Sequence, residues 1–141
     1  MTGRDVVRLE SHDGLPWLVG LAVVGVLGAL ALRWFGLPGI DIHGPFHRNG
    51  IMDPFCGGTR AAFVLTRGDL VGAWSWNPLV VLMAAAVLLV LARAAVGWMT
   101  KRWVNVYLPR RYAFGGLAVL LVIIEVNQQM QAERLMNVVP G

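Results

Sequence analysis

The stretch that decides the fold is NPLVVLMAAAVLLVLARAAVGW, residues 77–98. A hydrocarbon core about 30 Å thick is crossed by about 20 helical residues, each rising about 1.5 Å. This run is long enough, and one charge, Arg93, interrupts it. Asn77 can cap its start, because the side-chain oxygen can accept a backbone N–H of the first turn. Pro78 then takes the first helical position, where the missing donor costs nothing. Trp74 and Trp76 precede the run, and Trp98 and Trp103 close it, where an aromatic belt is expected.

Working outward, WLVGLAVVGVLGALALRWFG at residues 17–36 is a second run of spanning length. Pro16 stands at its first position. The leader before it, MTGRDVVRLESHDGLP, sets Arg4 and Arg8 against Asp5, Glu10 and Asp13. It is acidic as well as basic, and no small-x-small cleavage site follows, so the run reads as a retained anchor rather than a cleaved signal. The leader itself reads as a short tail with one helical turn. Gly25 and Ala29 form a small-xxx-small pair, with Gly20 and Gly28 as further thin spots that allow close approach of another helix in lipid. The third run is purely apolar only from Tyr112 to Ile124. To cross, it must continue through EVNQQM to Met130, which carries Glu125 into the membrane region.

Composition agrees with a lipid environment. The chain of 141 residues is 57% hydrophobic and 14% charged, with a mean hydropathy of +0.62. A soluble domain carries about a quarter charged residues. One cysteine, Cys56, excludes an intrachain disulfide. The net charge of +4 is not gathered into a basic tail or stripe, which argues against a nucleic-acid partner. Richness in Ala, Val, Gly, Arg and Trp points to a high-GC bacterial gene.

The predicted fold is all-α: an integral membrane protein with three transmembrane helices and a short interfacial or re-entrant helix between the first and second. It forms a single membrane domain: tail 1–16, span 17–36, loop 37–76, span 77–98, loop 99–111, span 112–130 and tail 131–141. Lys101, Arg102, Arg110 and Arg111 make the strongest basic cluster, with no acid beside them. By the positive-inside rule that loop is cytoplasmic. The expected setting is the bacterial inner membrane, with the N-terminus cytoplasmic and the loop 37–76 and C-terminus outside. Arg48, Arg60 and Arg67 in the outer loop are offset by Asp41, Asp53 and Asp69.

Polar residues concentrate in MDPFCGGTRAAF, residues 52–63. Pro54 fixes a turn, and Gly57 and Gly58 permit close backbone approach or positive φ. Thr59 can cap the short helix that follows. The Arg60 guanidinium offers a fork of donors to carbonyls, a carboxylate or a lipid phosphate. Together these residues can tie down a non-helical loop at membrane depth, where backbone polar groups must be satisfied by protein. Two chemical alternatives use the same residues. Cys56, Asp53, His43 and His47 could supply four zinc ligands, although their spacing is not a standard one. Cys56 could act as a nucleophile, with His47 as base and the Gly57–Gly58 N–H groups as an oxyanion site.

DPFCGGTRAAF followed by RGDLVGAWSWNPL and a long apolar helix resembles the bacterial membrane family called domain of unknown function 2752. That family's pattern runs Cys-Pro-x-Cys-Gly-x-Thr-Arg, then a glycine, then Asn-Pro at the head of a span. Pro54, Cys56, Gly57, Thr59, Arg60, Gly68, Asn77 and Pro78 match it, and the resemblance extends over roughly residues 44–130. The family's first motif cysteine falls on Asp53, and its upstream Cys-Pro-Phe on Gly44, Pro45 and Phe46. The resemblance implies architecture rather than chemistry.

Intramembrane charges are functional candidates by default. Arg93 lies about 22 Å from the outer face and Glu125 about 10 Å from it, so the two are not expected to pair. Arg93 is expected to snorkel inward toward anionic lipid. Glu125 needs a donor, and the expected one is Arg60, or Arg33, tethering the third span to the motif loop.

No catalytic constellation is complete and no cofactor is implied. The expected function is a small, non-catalytic accessory or structural subunit of a larger bacterial membrane complex, a respiratory assembly being one host class. Its expected partners are the lipid bilayer and other integral membrane subunits. The alternatives are a metal- or thiol-dependent membrane enzyme centred on Cys56, and an oligomeric transporter using Glu125 with Asn127, Gln128 and Gln129.

Overall fold

A computed structural model describes residues 6–37 and 53–132. The chain is mostly helical, and among the described residues three helices are long and apolar enough to cross a membrane: α1 (Pro16–Phe35), α4 (Pro78–Thr100) and α5 (Arg110–Met130). Two short helices among the described residues, α2 (Gly58–Leu65) and α3 (Leu70–Trp76), lie between the first and second of these.

Helix boundaries follow local chemistry. Pro16 starts α1, and Gly36, at φ 78°, ends it while its N–H returns to the Leu32 carbonyl at 2.9 Å. Asn77 caps α4 by accepting the Leu79 N–H at 2.9 Å, with Pro78 at the first position. The α4 helix ends at Lys101, whose φ of 57° breaks the helical run. The region 57–76 holds two helices rather than the single short helix expected between the first two spans. Gly68, at φ 86°, reverses the chain, and Asp69 caps α3 by accepting the Gly72 N–H at 2.7 Å.

One element is absent from the sequence reading: a two-stranded antiparallel sheet of β1 (Val7–Glu10) and β2 (Trp103–Val106). The leader is therefore extended, not a helical turn. Its register pairs Val7 with Val106, Arg8 with Asn105, Leu9 with Val104 and Glu10 with Trp103. Tyr107 extends the ladder by donating to the Val6 carbonyl at 2.7 Å. Strand alternation buries Trp103 and Asn105 and leaves Val104 and Val106 exposed.

An isolated two-stranded sheet is marginal in water, and this one is anchored on α4. The Trp103 ring lies directly over Gly97, where an added Cβ would sit 2.5 Å from ring carbon Cε3. Trp103 is thus buried under the sheet and is not part of an aromatic belt, whereas Trp74 and Trp98 are exposed.

Helix α4 is the central post. The α1 helix packs on it through buried Ala22 and through Gly25, where an added Cβ would come to 3.8 Å from Val87. Gly20 and Gly28 meet nothing within 4 Å. The α2 and α3 helices fold together over its N-terminal end, burying Ala61, Ala73 and Leu79. By contrast α5 touches the other described elements sparsely, and its buried residues are Ile124 and Gln128 near its C-terminal end.

Candidate functional site

Two polar clusters stand at opposite ends of α4, each built round a fully buried asparagine. The first contains the Cys56 motif. Asp53 starts a turn by accepting the Phe55 N–H on its carboxylate at 2.7 Å and the Cys56 N–H on its carbonyl at 3.1 Å. The turn continues with the Gly58 N–H on the Phe55 carbonyl at 2.8 Å. Gly57 follows at φ 73°, a left-handed conformation that favours glycine, and forms the N-cap of α2. Gly58 has ordinary space, since a Cβ there would meet Val80 at 3.6 Å.

Thr59 is the second residue of α2 and does not cap it. The left-handed Gly57 starts the helix two residues before Thr59, so its hydroxyl falls past the capping position.

Asn77 closes this turn onto α4. Its Nδ2 donates to the carbonyls of Pro54 and Cys56, at 2.9 Å each, while its Oδ1 accepts the Leu79 N–H. One amide thereby caps the span and satisfies two loop carbonyls that would otherwise be costly to bury. Cys56 is 3% exposed and packs against Trp76 and Ala132. Its sulfur accepts the Asp53 N–H at 3.3 Å. Burial pushes the thiol pKa up, which disfavours the nucleophilic thiolate. His43 and His47, named as zinc ligands or base, lie outside the described residues; among those described, no three His, Cys, Asp or Glu side chains converge on one point.

The third span reaches this cluster by a different residue from the one expected. Gln128, fully buried, donates to the Trp76 carbonyl at 3.3 Å, and its own oxygen has no hydrogen-bond partner among the described residues. Glu125 is exposed and makes no ion pair with Arg60 or Arg33. Ile124 and Gln128, four residues apart, share the buried face. Glu125 is rotated about 100° from Ile124 and leaves that face. Arg60 instead lies over the Trp76 ring, 5.3 Å from its centre. Arg33 donates to the Thr66 carbonyl.

The second cluster is built round Asn105 and was not foreseen. Its Oδ1 accepts from Arg93 at 2.6 Å and from the Gly14 N–H at 3.1 Å. Its Nδ2 donates to the Glu10 carboxylate and to the His12 carbonyl. Arg93 also donates to the Val104 carbonyl and to Asp13 at 2.7 Å, and stands 5.5 Å over the Trp103 ring. Arg93 is thus turned into the protein through Nε and one Nη rather than extended toward lipid, while its buried Nη1 has no hydrogen-bond partner among the described residues. The sheet folds back over α4 and delivers Asp13, Asn105 and a carbonyl within its reach.

Outside the spans, the Asp13 carboxyl is held below its ordinary value, chiefly by its hydrogen bond from Arg93. The Glu10 carboxyl is also lowered, first by Asn105 and then by Tyr107, whose hydroxyl donates to it at 3.0 Å.

Three membrane-length helices, a polar turn locked to the head of the central one, and no assembled nucleophile among the described residues define a small helical membrane protein. Within that class, residues 45–91 match the family model described as Protein of unknown function (DUF2752). This stretch holds the Cys56 turn, Asn77 and most of α4, and it is the family that the Cys-Gly-x-Thr-Arg and Asn-Pro pattern resembles. No curated protein and no solved structure matches the chain.

Proposed function

We propose that the protein is a non-catalytic accessory or structural subunit that packs against a larger membrane complex. The observation that carries this reading is Glu125. It is exposed on a spanning helix, about 8 Å from the helix end, with no ion-pair partner among the described residues. A carboxylate at such a position faces protein or water rather than lipid tails. A basic or hydrogen-bonding group from a neighbouring subunit would satisfy it. The sparse packing of α5 on the other described elements, and Gly115 and Gly116, which meet nothing within 4 Å among the described residues, support a neighbour on that helix. Burial of Cys56 supports the non-catalytic part.

The proposed setting is a bacterial inner membrane, with the basic 99–111 loop and the N-terminus cytoplasmic. Pairing of β1 with β2 supports that topology, because it requires the N-terminal tail and the loop after α4 to lie on one side.

Purification of the full chain in mild detergent tests the proposal. Membrane partners are expected at fixed stoichiometry, and Glu125→Lys is expected to release them while leaving the melting temperature of the chain unchanged. Recovery of the chain alone from native membranes, or retention of the same partners by Glu125→Lys, would contradict it.

A further inference from the structure

At the far end of α2 from the Cys56 turn, the end of α1 and the turn between α2 and α3 flank an open pocket of about 350 Å³, lined among the described residues by Arg33, Trp34 and Arg67. Among the described residues its charge is one-sided, since both ionisable groups on its wall are guanidinium ions. The nearest acid in sequence, Asp69, does not line it and is spent on the Gly72 N–H.

Both arginines are held by protein. Arg33 is fixed from one side by its bond to the Thr66 carbonyl. Arg67, the next residue, has its guanidinium 4.2 Å over the Phe63 ring. These contacts use a small part of the ten N–H donors that two guanidinium groups carry. The rest have no partner among the described residues, and the side-chain entropy of bringing two long cations together is already largely spent.

Depth decides what can enter. Arg33 is in the last turn of α1, two residues before its end, so it stands about 3 Å inside the helix terminus, where hydrocarbon gives way to headgroups. Trp34 and Phe35 beside it are 80% and 89% exposed, as interfacial aromatics are. We propose that this pocket binds the phosphate of an anionic lipid headgroup, with Arg33 and Arg67 as a two-pronged clamp and Trp34 against the glycerol and upper acyl chain. Guanidinium forks match phosphate oxygens in geometry and charge. Two cations round one phosphodiester favour a headgroup of net charge −1 over a zwitterionic one, whose own cation would be repelled.

The test uses the full chain in neutral detergent, with lipid retention read by native mass spectrometry and stability by thermal melting. Phosphatidylglycerol is expected to remain bound and to raise the melting temperature, and phosphatidylcholine to do neither. Arg67→Gln is expected to weaken phosphatidylglycerol binding about tenfold, the effect of losing one charge-assisted hydrogen bond, and Arg67→Lys to recover part of it. Arg67 is the informative position because its described contact is a single ring stack, so the fold does not depend on it. Equal retention of phosphatidylglycerol by Arg67→Gln and the unmodified chain would overturn the site. An equal thermal shift from inorganic phosphate alone would overturn the lipid as its source.

Discussion

The two ends of α4 solve one problem with different chemistry. At each end a loop must be fastened to a helix terminus, and at each a fully buried asparagine does it. At the Asn77 end the partners are neutral: two carbonyls, one N–H and a thiol packed beneath. At the Asn105 end the amide sits among ions, with Arg93, Asp13 and Glu10 within one network. The neutral cluster binds residues close in sequence to the span it caps. The charged cluster joins the leader to a loop some ninety residues later. A neutral lock can be buried without a Born penalty, whereas the ionic one needs its charges paired and water nearby.

The largest effect is expected at the neutral end. Asn77→Ala removes the α4 cap and strands two buried carbonyls, and should cost about 3 kcal/mol, measured by denaturant unfolding of the detergent-solubilised chain. Asn105→Ala should cost less, because its partners border water and can rehydrate. If Asn105→Ala proves the more damaging, the contrast drawn between the two ends is wrong.

Second in size is Gly97→Ala. A Cβ there would lie 2.5 Å from the Trp103 ring, so the sheet must lift off α4. A loss of about 2 kcal/mol is expected, accompanied by a change in tryptophan fluorescence. Gly20→Ala, in open space, serves as the control and should be close to neutral.

A smaller and condition-dependent effect belongs to the ion pair. A double-mutant cycle on Asp13→Asn and Arg93→Gln should give a coupling of about 1 kcal/mol that shrinks as salt is raised. The Asn77 contribution should not respond to salt. The pH dependence has a definite sign. The folded Asp13 carboxyl lies below its ordinary value of 3.8, so its contribution is complete above that value and is lost as pH falls through the lowered one. Asp13→Asn should flatten that part of the acid-unfolding curve; an unchanged curve would remove Asp13 from the account.

Legibility in the sequence follows the same division. The three spans could be read from apolar run length, and the Asn77 cap from the Asn-Pro step, because both signals are local. The Asn105 cluster could not. Its strands are four residues each, and their pairing depends on a contact between distant segments that no local pattern encodes. The alternating Val-Arg-Leu-Glu and Trp-Val-Asn-Val stretches are a faint period-2 signal, visible once the two are set side by side. Arg93 departs from expectation for that reason: the sheet, which no local pattern predicts, supplies the partners that lipid would otherwise provide. The tether from α5 was expected in the right region but on the wrong residue. Which helix face turns inward is set by packing, and it selects Gln128 over Glu125.

The central claim is that Asn77 holds the Cys56 turn shut as a brace, and the alkylation rate of Cys56 tests it most directly. In the folded, detergent-solubilised chain the buried thiol should react with iodoacetamide slowly, and Asn77→Ala should raise that rate by at least tenfold while the three spanning helices persist by circular dichroism. A thiol that already reacts quickly in the unmodified chain, or a rate that Asn77→Ala leaves unchanged, would contradict the account.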